Sequence, residues 1–187
     1  LADELKGVLL IDEAYVDFAE NNCTQLVKDF DNVIILRSMS KGYSLAGVRF
    51  GYAIAQPSLI EGLLTLKDSY NTGAIAIAAA TAAVKDQQYF KENVEKIKRE
   101  RKRLTEQLRI LGFNVPDSFS NFVFAENPST SSGQARKAKS IFDKLVQRNI
   151  YVRYWNQPGI DNKLRISVGT PEQNDKLLSA LKEILSE

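Results

Sequence analysis

Apolar positions along the chain follow two rhythms, and the change falls near Asp86. Before it, short unbroken apolar runs alternate with stretches of helical spacing. Val8-Leu9-Leu10-Ile11, Val33-Ile34-Ile35-Leu36 and residues 50–55 read as strands. The first is apolar at successive positions, which predicts a central parallel strand covered on both faces by helices. Residues 23–30 place Leu26, Val27 and Phe30 on one side of a short helix, with Cys23 as a small packing residue. Residues 57–67 open a helix on Pro57 and carry Leu59, Ile60, Leu63, Leu64 and Leu66, and the polar stretch 68–73 stops it. Residues 74–84 form an alanine-rich helix whose small side chains allow close packing, so it is expected to be buried.

After Asp86 the pattern becomes amphipathic. Residues 87–111 form the longest predicted helix. Phe90, Val94, Ile97, Leu104, Leu108 and Leu111 fall at spacings of three and four, Arg101 takes the one missing apolar seat, and Gly112 suits the cap. Lys96, Lys98, Arg99, Arg101, Lys102 and Arg103 make a basic run, but Glu92, Glu95, Glu100 and Glu106 interleave with it. A solvated face with Glu92–Lys96 and Glu95–Arg99 pairs is therefore expected, rather than a nucleic-acid patch. Residues 113–115 and 121–125 read as strands, 127–133 as a flexible surface loop, and 135–147 as an amphipathic helix with Ile141, Phe142, Leu145 and Val146 inward. Strands follow at 150–153 and 164–169, the second with Leu164, Ile166 and Val168 inward. Thr170-Pro171-Glu172-Gln173 is a capping box that starts a last helix with Leu177, Leu178, Leu181, Ile184 and Leu185 on its apolar face. The predicted class is α/β in two parts. Residues 1–86 form part of a mostly parallel sheet flanked by helices, and 87–187 a small α/β domain of helices on a small sheet.

Composition narrows the chemistry. The 187 residues carry a formal charge of +2, which argues neither for nucleic acid nor for an anionic membrane as partner. One cysteine precludes an internal disulfide and fits a reducing, cytoplasmic setting. With no histidine, His-based triads and nearly every catalytic zinc site fall away, and no metal is expected. The longest apolar stretch is too short to span a bilayer, and no signal-peptide pattern is present. The chain opens on leucine and enters a strand within a few residues, so it reads as a piece of a larger protein.

The candidate chemistry lies in the loop between the second and third strands, Arg37-Ser38-Met39-Ser40-Lys41-Gly42-Tyr43-Ser44-Leu45-Ala46-Gly47-Val48-Arg49-Phe50-Gly51-Tyr52. A lysine in apolar surroundings becomes a nucleophile towards carbonyls. Ser38 and Ser40, with Arg49 eight residues beyond the lysine, could grip a phosphate. Asp12 and Tyr15 follow the first strand, where α/β sheets bind ligands; the plainer reading of Asp12 is a strand-end turn with an aspartate cap.

The Ser-x-Ser-Lys sequence followed by Leu-Ala-Gly-x-Arg-x-Gly-Tyr resembles the lysine motif of fold type I pyridoxal-phosphate enzymes. Within the class I/II aminotransferases it looks closest to histidinol-phosphate aminotransferases. The resemblance covers nearly all of this chain but only the C-terminal half of that family. It implies that Lys41 binds the cofactor covalently and then shuttles a proton between substrate and cofactor. Asp12 would pair with the pyridine nitrogen, Tyr15 would bond the ring's O3′, and Ser38, Ser40 and Arg49 would hold the phosphate. Arg165 matches an arginine that binds the substrate's anionic group, and Arg153 one used for substrate phosphate; for Arg165 the plainer reading is a surface ion pair. The implied reaction is transamination of histidinol phosphate with 2-oxoglutarate by a homodimer. Its cofactor-phosphate amides, its ring-stacking aromatic and an Asn near O3′ belong to the family's N-terminal half, and a partner subunit's tyrosine reaches the phosphate. This stretch alone is therefore expected to retain cofactor weakly and not to turn over. Alternatives are an aromatic or other amino-acid aminotransferase, a related decarboxylase sharing the Lys41 motif, or a non-catalytic binding module in which Lys41 forms no adduct.

Overall fold

The computed structural model describes residues 1–126 and 138–187. The expected loop at 127–133 and the first three residues of the helix expected at 135–147 lie outside the described residues. The chain divides into two compact units, Leu1–Val94 and Glu95–Glu187.

The first unit is built on a three-stranded sheet of β1 (Leu9–Asp12), β2 (Val33–Ser38) and β3 (Gly51–Ala55) in that order. β1 runs parallel to β2 with Leu9 opposite Val33 and Asp12 opposite Leu36, and β3 returns antiparallel with Ser38 opposite Gly51. Val33 and Ile35 point to one face, where Val27 of the short helix α1 (Leu26–Asp29) meets them, with Leu9, Ile11, Cys23 and Phe30 packed around. Cys23 is thus the packing residue its type suggested. Asn32 ties the N-terminal turn to the sheet by donating through Nδ2 to the carbonyls of Ala2, Leu5 and Gly7 at 2.9–3.2 Å.

Two expectations for this unit fail. β1 is not covered on both faces: alternation sends Leu10 to the side opposite α1, where it is 53% exposed. The helix α3 (Ala74–Lys85) is not buried either. Only Ala80 of its residues is buried, and Ile75 is 86% exposed. An unbroken apolar run reports that a strand can be covered on two sides, but the cover itself must come from other residues. Among the described residues nothing supplies it here. The helix α2 (Pro57–Leu66) starts on its proline as expected and likewise leaves Leu63, Leu64 and Leu66 exposed.

The long helix α4 (Gln87–Ile110) crosses from one unit into the other and ends in a Schellman cap. Gly112 adopts φ +91°, its N–H bonds the Arg109 carbonyl at 3.0 Å, and the Phe113 N–H bonds the Leu108 carbonyl at 3.0 Å. Its internal ion pairs among the described residues are Lys98–Glu95 at 3.3 Å and Arg103–Glu100 at 2.9 Å. The expected Glu92–Lys96 and Glu95–Arg99 pairs do not form among the described residues: Glu95 is taken by Lys98 one turn along, and Glu92 accepts from Gln88 Nε2 at 3.0 Å.

The second unit is an antiparallel sheet of β4 (Phe122–Glu126), β6 (Lys163–Ser167) and β5 (Arg153–Tyr154), in the order β4-β6-β5. Val123 sits opposite Ile166 and Ala125 opposite Leu164, so these four share one face. Leu104 and Leu108 of α4, Ile141 and Leu145 of α5 (Ala138–Gln147), and Leu177, Leu181 and Ile184 of α6 (Pro171–Ser186) close over them into one core. The capping box forms as read: the Gln173 N–H donates to Thr170 Oγ1 at 3.3 Å and the Thr170 N–H to Gln173 Oε1 at 3.0 Å.

Two short strands shrink. Of 150–153 only Arg153 is in a ladder, because Asn149 at φ +56° turns the chain and the Ile150 N–H caps α5 on the Leu145 carbonyl. Of 113–115 only Asn114 pairs, as a single bridge to Glu126. No helix among the described residues is long and apolar enough to cross a membrane.

Candidate active site

Parallel β1 and β2 end at the same edge of the first sheet, and the Glu13 N–H continues their ladder to the Leu36 carbonyl at 2.8 Å. Chain crossing this edge carries Asp12, Tyr15, Ser38, Ser40 and Lys41, at the carboxyl ends of strands where α/β sheets place ligands. Asp12 is exposed, and its Oδ1 accepts the Ala14 N–H at 2.9 Å. The turn-forming role and the ligand role are thus compatible, since one oxygen makes the turn and the other is left for a partner. Tyr15 caps a 3-10 turn at Val16–Phe18, and the half-buried Lys41 Nζ lies 5.7 Å from its ring centroid. The contact sets the amine beside the aromatic, within cation–π range.

The lysine loop is pinned at its base. The Met39 N–H bonds the Phe50 carbonyl and the Leu45 N–H bonds the Met39 carbonyl, both at 3.1 Å, while Met39 itself is 2% exposed. The Ser44 N–H closes a turn on the Lys41 carbonyl at 3.1 Å. Ser44 and Arg49 both adopt φ +57°, a left-handed conformation that non-glycine residues enter only when their surroundings impose it. Ser38 Oγ accepts the Ser40 N–H at 3.1 Å, drawing the two serines together. Arg49 is exposed and donates to the Ala46 carbonyl at 3.1 Å, with no contact to Ser38 or Ser40 among the described residues.

Three supporting residues escaped the sequence reading. Glu13 is 8% exposed and takes two bonds from Arg37, Nε at 3.0 Å and Nη2 at 2.9 Å, to one oxygen; Arg37 also donates to Thr24 Oγ1 at 2.9 Å. This strut ties β2 to the segment after β1. Burial alone would lower the Arg37 value, but hydrogen bonds with Glu13 and Tyr52 outweigh it and raise the guanidinium above its ordinary value. Asp17 lies under the lysine turn and accepts the Gly42 N–H. Burial pushes its carboxyl up, against the opposing pull of the Arg37 charge and of that N–H. A Cβ on Gly42 would overlap the Asp17 side chain from Oδ2 to Cβ, so the residue after the lysine must be glycine while Asp17 stays in place. The Asp12 to Asp17 segment is acidic and follows a strand, which is the one sequence signal that could have flagged Glu13 and Asp17.

Arg153 and Arg165 belong to the second unit. They face each other across β5 and β6, and Phe124 faces Arg165 across β4 and β6, all on the side of the sheet away from its core. Leu164 and Ile166 are buried as the alternation predicted. Neither arginine forms an ion pair among the described residues, so the surface-pair reading of Arg165 does not describe it. The Arg165 Nε is buried and has no hydrogen-bond partner among the described residues.

A lysine amine, a strand-end carboxylate, a phenol and two hydroxyls around one sheet edge suit an aromatic aldehyde bearing a phosphate. Known proteins are similar to this chain over nearly its whole length. The family model for "Aminotransferase class I and II" matches residues 1–181. Histidinol-phosphate aminotransferase 1 of Nostoc sp. (strain PCC 7120) is 50% identical over 185 residues, covering 99% of this chain and 51% of the relative. Histidinol-phosphate aminotransferase of Citrifermentans bemidjiense is 46% identical over 184 residues, covering 98% and 51%. The crystal structure of histidinol-phosphate aminotransferase from Sinorhizobium meliloti in complex with pyridoxal-5'-phosphate superposes with a TM-score of 0.85 at 31% identity, over 96% of this chain and 49% of that one. The Clostridium acetobutylicum histidinol-phosphate aminotransferase superposes with a TM-score of 0.87 at 29% identity, over 99% and 56%. The chain spans about half the length of the curated relatives it matches. With the family model matching nearly its whole length, this chain belongs to the class I and II aminotransferases.

Proposed function

We propose that this chain is the lysine-bearing part of a pyridoxal-phosphate-dependent aminotransferase that acts on histidinol phosphate with 2-oxoglutarate as the keto acid. The observation that carries the reading is the amine of half-buried Lys41, 5.7 Å from the Tyr15 ring centroid, with the Asp12 carboxylate at the adjoining strand end. When bound, pyridoxal phosphate supplies an electron sink for breaking bonds at the substrate's amine-bearing carbon.

The chain's own residues place and protonate. Lys41 Nζ would hold the cofactor at its aldehyde carbon, whose oxygen leaves as water, and, when freed by the substrate amine, would be the base that carries the proton between the substrate carbon and the cofactor. The Asp12 oxygen not used by Ala14 holds a proton on a ring nitrogen. The Tyr15 hydroxyl donates to a phenolate oxygen. Ser38 and Ser40 donate to phosphate oxygens from the strand end, and Arg49 adds a guanidinium from the same loop. Asp17 and Gly42 fix the turn that carries the lysine. Arg153 and Arg165 bind the anionic group of the substrate. Turnover belongs to a homodimer of the longer protein in the cytoplasm, and this stretch by itself holds cofactor weakly and does not turn over.

The test is to add pyridoxal phosphate to the chain, reduce with borohydride, and map modified peptides, with circular dichroism confirming the fold. Reduction traps even a weakly held adduct. The expected adduct falls on Lys41 and disappears in Lys41→Arg. Labelling spread over the other lysines of a folded chain overturns the assignment of Lys41. A panel of amines, with and without a phosphate ester, applied to the longer protein then separates histidinol phosphate from aromatic substrates and from decarboxylation.

A further inference from the structure

The outer face of the second unit's sheet carries two arginines directly opposite each other, Arg153 on β5 and Arg165 on β6. Like charges in directly opposed cross-strand positions repel, and such a pair needs a reason to persist. No carboxylate neutralises either one among the described residues; Glu126, on the same face, is engaged by Asn114 at 2.9 Å and Asn162 at 2.6 Å. What touches both guanidiniums is Trp155. The Arg153 Cζ lies 5.3 Å and the Arg165 Cζ 5.4 Å from the indole centroid, both within cation–π range. Phe122 holds Arg165 in the same way at 5.1 Å. Phe124 meets the indole edge-on at 6.3 Å and 70°, which fixes the tilt of the ring.

Among the described residues this arrangement gives the polar edges of the two guanidiniums no acceptor, while their planes are held by rings. It also leaves the Arg165 Nε–H buried and unsatisfied, a donor that costs free energy until an oxygen meets it. A dianion with three oxygens relieves the repulsion and the unsatisfied donor together, which a single carboxylate does less well.

We propose that Trp155 is a positioning residue that holds Arg153 and Arg165 side by side as a receptor for a dianionic phosphate monoester. The proposal rests on the reading of these two arginines as anion-binding groups and adds the element that gives them their preference for two negative charges. Trp155 makes no bond to the phosphate. It acts through the two guanidiniums, keeping them from splaying apart when the site is empty.

The chain has one tryptophan, so its emission reports on this site alone. The experiment titrates inorganic phosphate into the full chain at fixed ionic strength, once where phosphate is mainly dianionic and once where it is mainly monoanionic. Calorimetry follows the same titration for variants that lack the fluorophore. A saturable emission change, stronger for the dianion, is expected. Trp155→Leu should weaken phosphate binding about tenfold, while Trp155→Phe, which keeps a ring face, should stay within about threefold of the unaltered chain. Urea unfolding of each variant checks that the fold is kept. Equal phosphate affinity in Trp155→Leu and the unaltered chain overturns the role of Trp155. No saturable change in the unaltered chain, or none of it lost in Arg153→Gln and Arg165→Gln, overturns the arginine reading and the proposal with it. Neither result bears on Lys41, whose adduct is measured separately.

Discussion

The two units of this chain differ in how much of their own apolar surface they cover. In the second, side chains from α4, α5 and α6 close over one face of the sheet, and Leu104, Leu108, Leu145 and Leu181 are fully buried. In the first, the buried cluster is Val27, Val33 and Ile35 with a ring of half-buried neighbours, and Val8, Leu10, Leu63, Leu64, Ile75, Ile77 and Val84 stand exposed. Yet the lysine, the strand-end carboxylate and the serines sit in the first. A sheet edge that carries chemistry is held there by polar devices rather than by a large core: the Arg37–Glu13 strut, the Asp17–Gly42 contact and the two left-handed residues of the loop. The lesson is that a candidate site for carbonyl chemistry does not need a large core around it: the unit that carries Lys41 has the smaller one.

The comparison breaks most sharply under paired truncations. Leu181→Ala removes a fully buried side chain and should cost about 2–5 kcal/mol in urea unfolding followed by Trp155 emission. Leu10→Ala, at 53% exposure, should change stability by no more than about 0.5 kcal/mol. A cost for Leu10→Ala comparable to that of Leu181→Ala would mean that the outer face of the first sheet is covered in solution.

A smaller effect separates the units by the sign of their pH dependence. In the second unit the bond from Arg103 holds Glu100 below its ordinary value near 4.5, although desolvation acts against it. That stabilisation is present above 4.5 and is lost as pH falls through the lower folded value. In the first unit burial holds Asp17 above its ordinary 3.8, so its contribution is present below 3.8 and is lost as pH rises through the raised folded value. Acidification should therefore weaken the second unit through Glu100 and strengthen the first through Asp17. Amide exchange in the two units across this range, in the unaltered chain and in Glu100→Gln and Asp17→Asn, reads the two slopes. Either slope surviving its own substitution contradicts its assignment.

Much of this was legible in the sequence, for reasons that differ by element. The amphipathic spacing of α4 and α6, the capping box at Thr170 and the alternation of Leu164 and Ile166 are local patterns whose cause lies within a few residues, and each took the predicted form. Coverage is not local: nothing in Leu10 or Ile75 records which other residues, if any, lie over them. The lysine motif could be read because it sets several residue types at fixed spacing within sixteen residues of chain. Its supports did not, since the Glu13–Arg37 pair joins positions 24 apart and Asp17 reaches Gly42 only after the sheet has formed. Arg165 and Arg153 were readable as charges, but their cross-strand pairing and shared contact with Trp155 needed the folded sheet.

The central claim is that carbonyl chemistry belongs to the first unit and phosphate recognition by paired arginines to the second. Hydrogen exchange resolved by peptide, with pyridoxal phosphate in one arm and inorganic phosphate in the other, tests it most directly. Pyridoxal phosphate should protect residues 33–55, and this protection should be lost in Lys41→Arg. Inorganic phosphate should protect residues 153–167. Pyridoxal phosphate protecting only the second unit would contradict it, because the compound would then be held as a phosphate and not as an aldehyde.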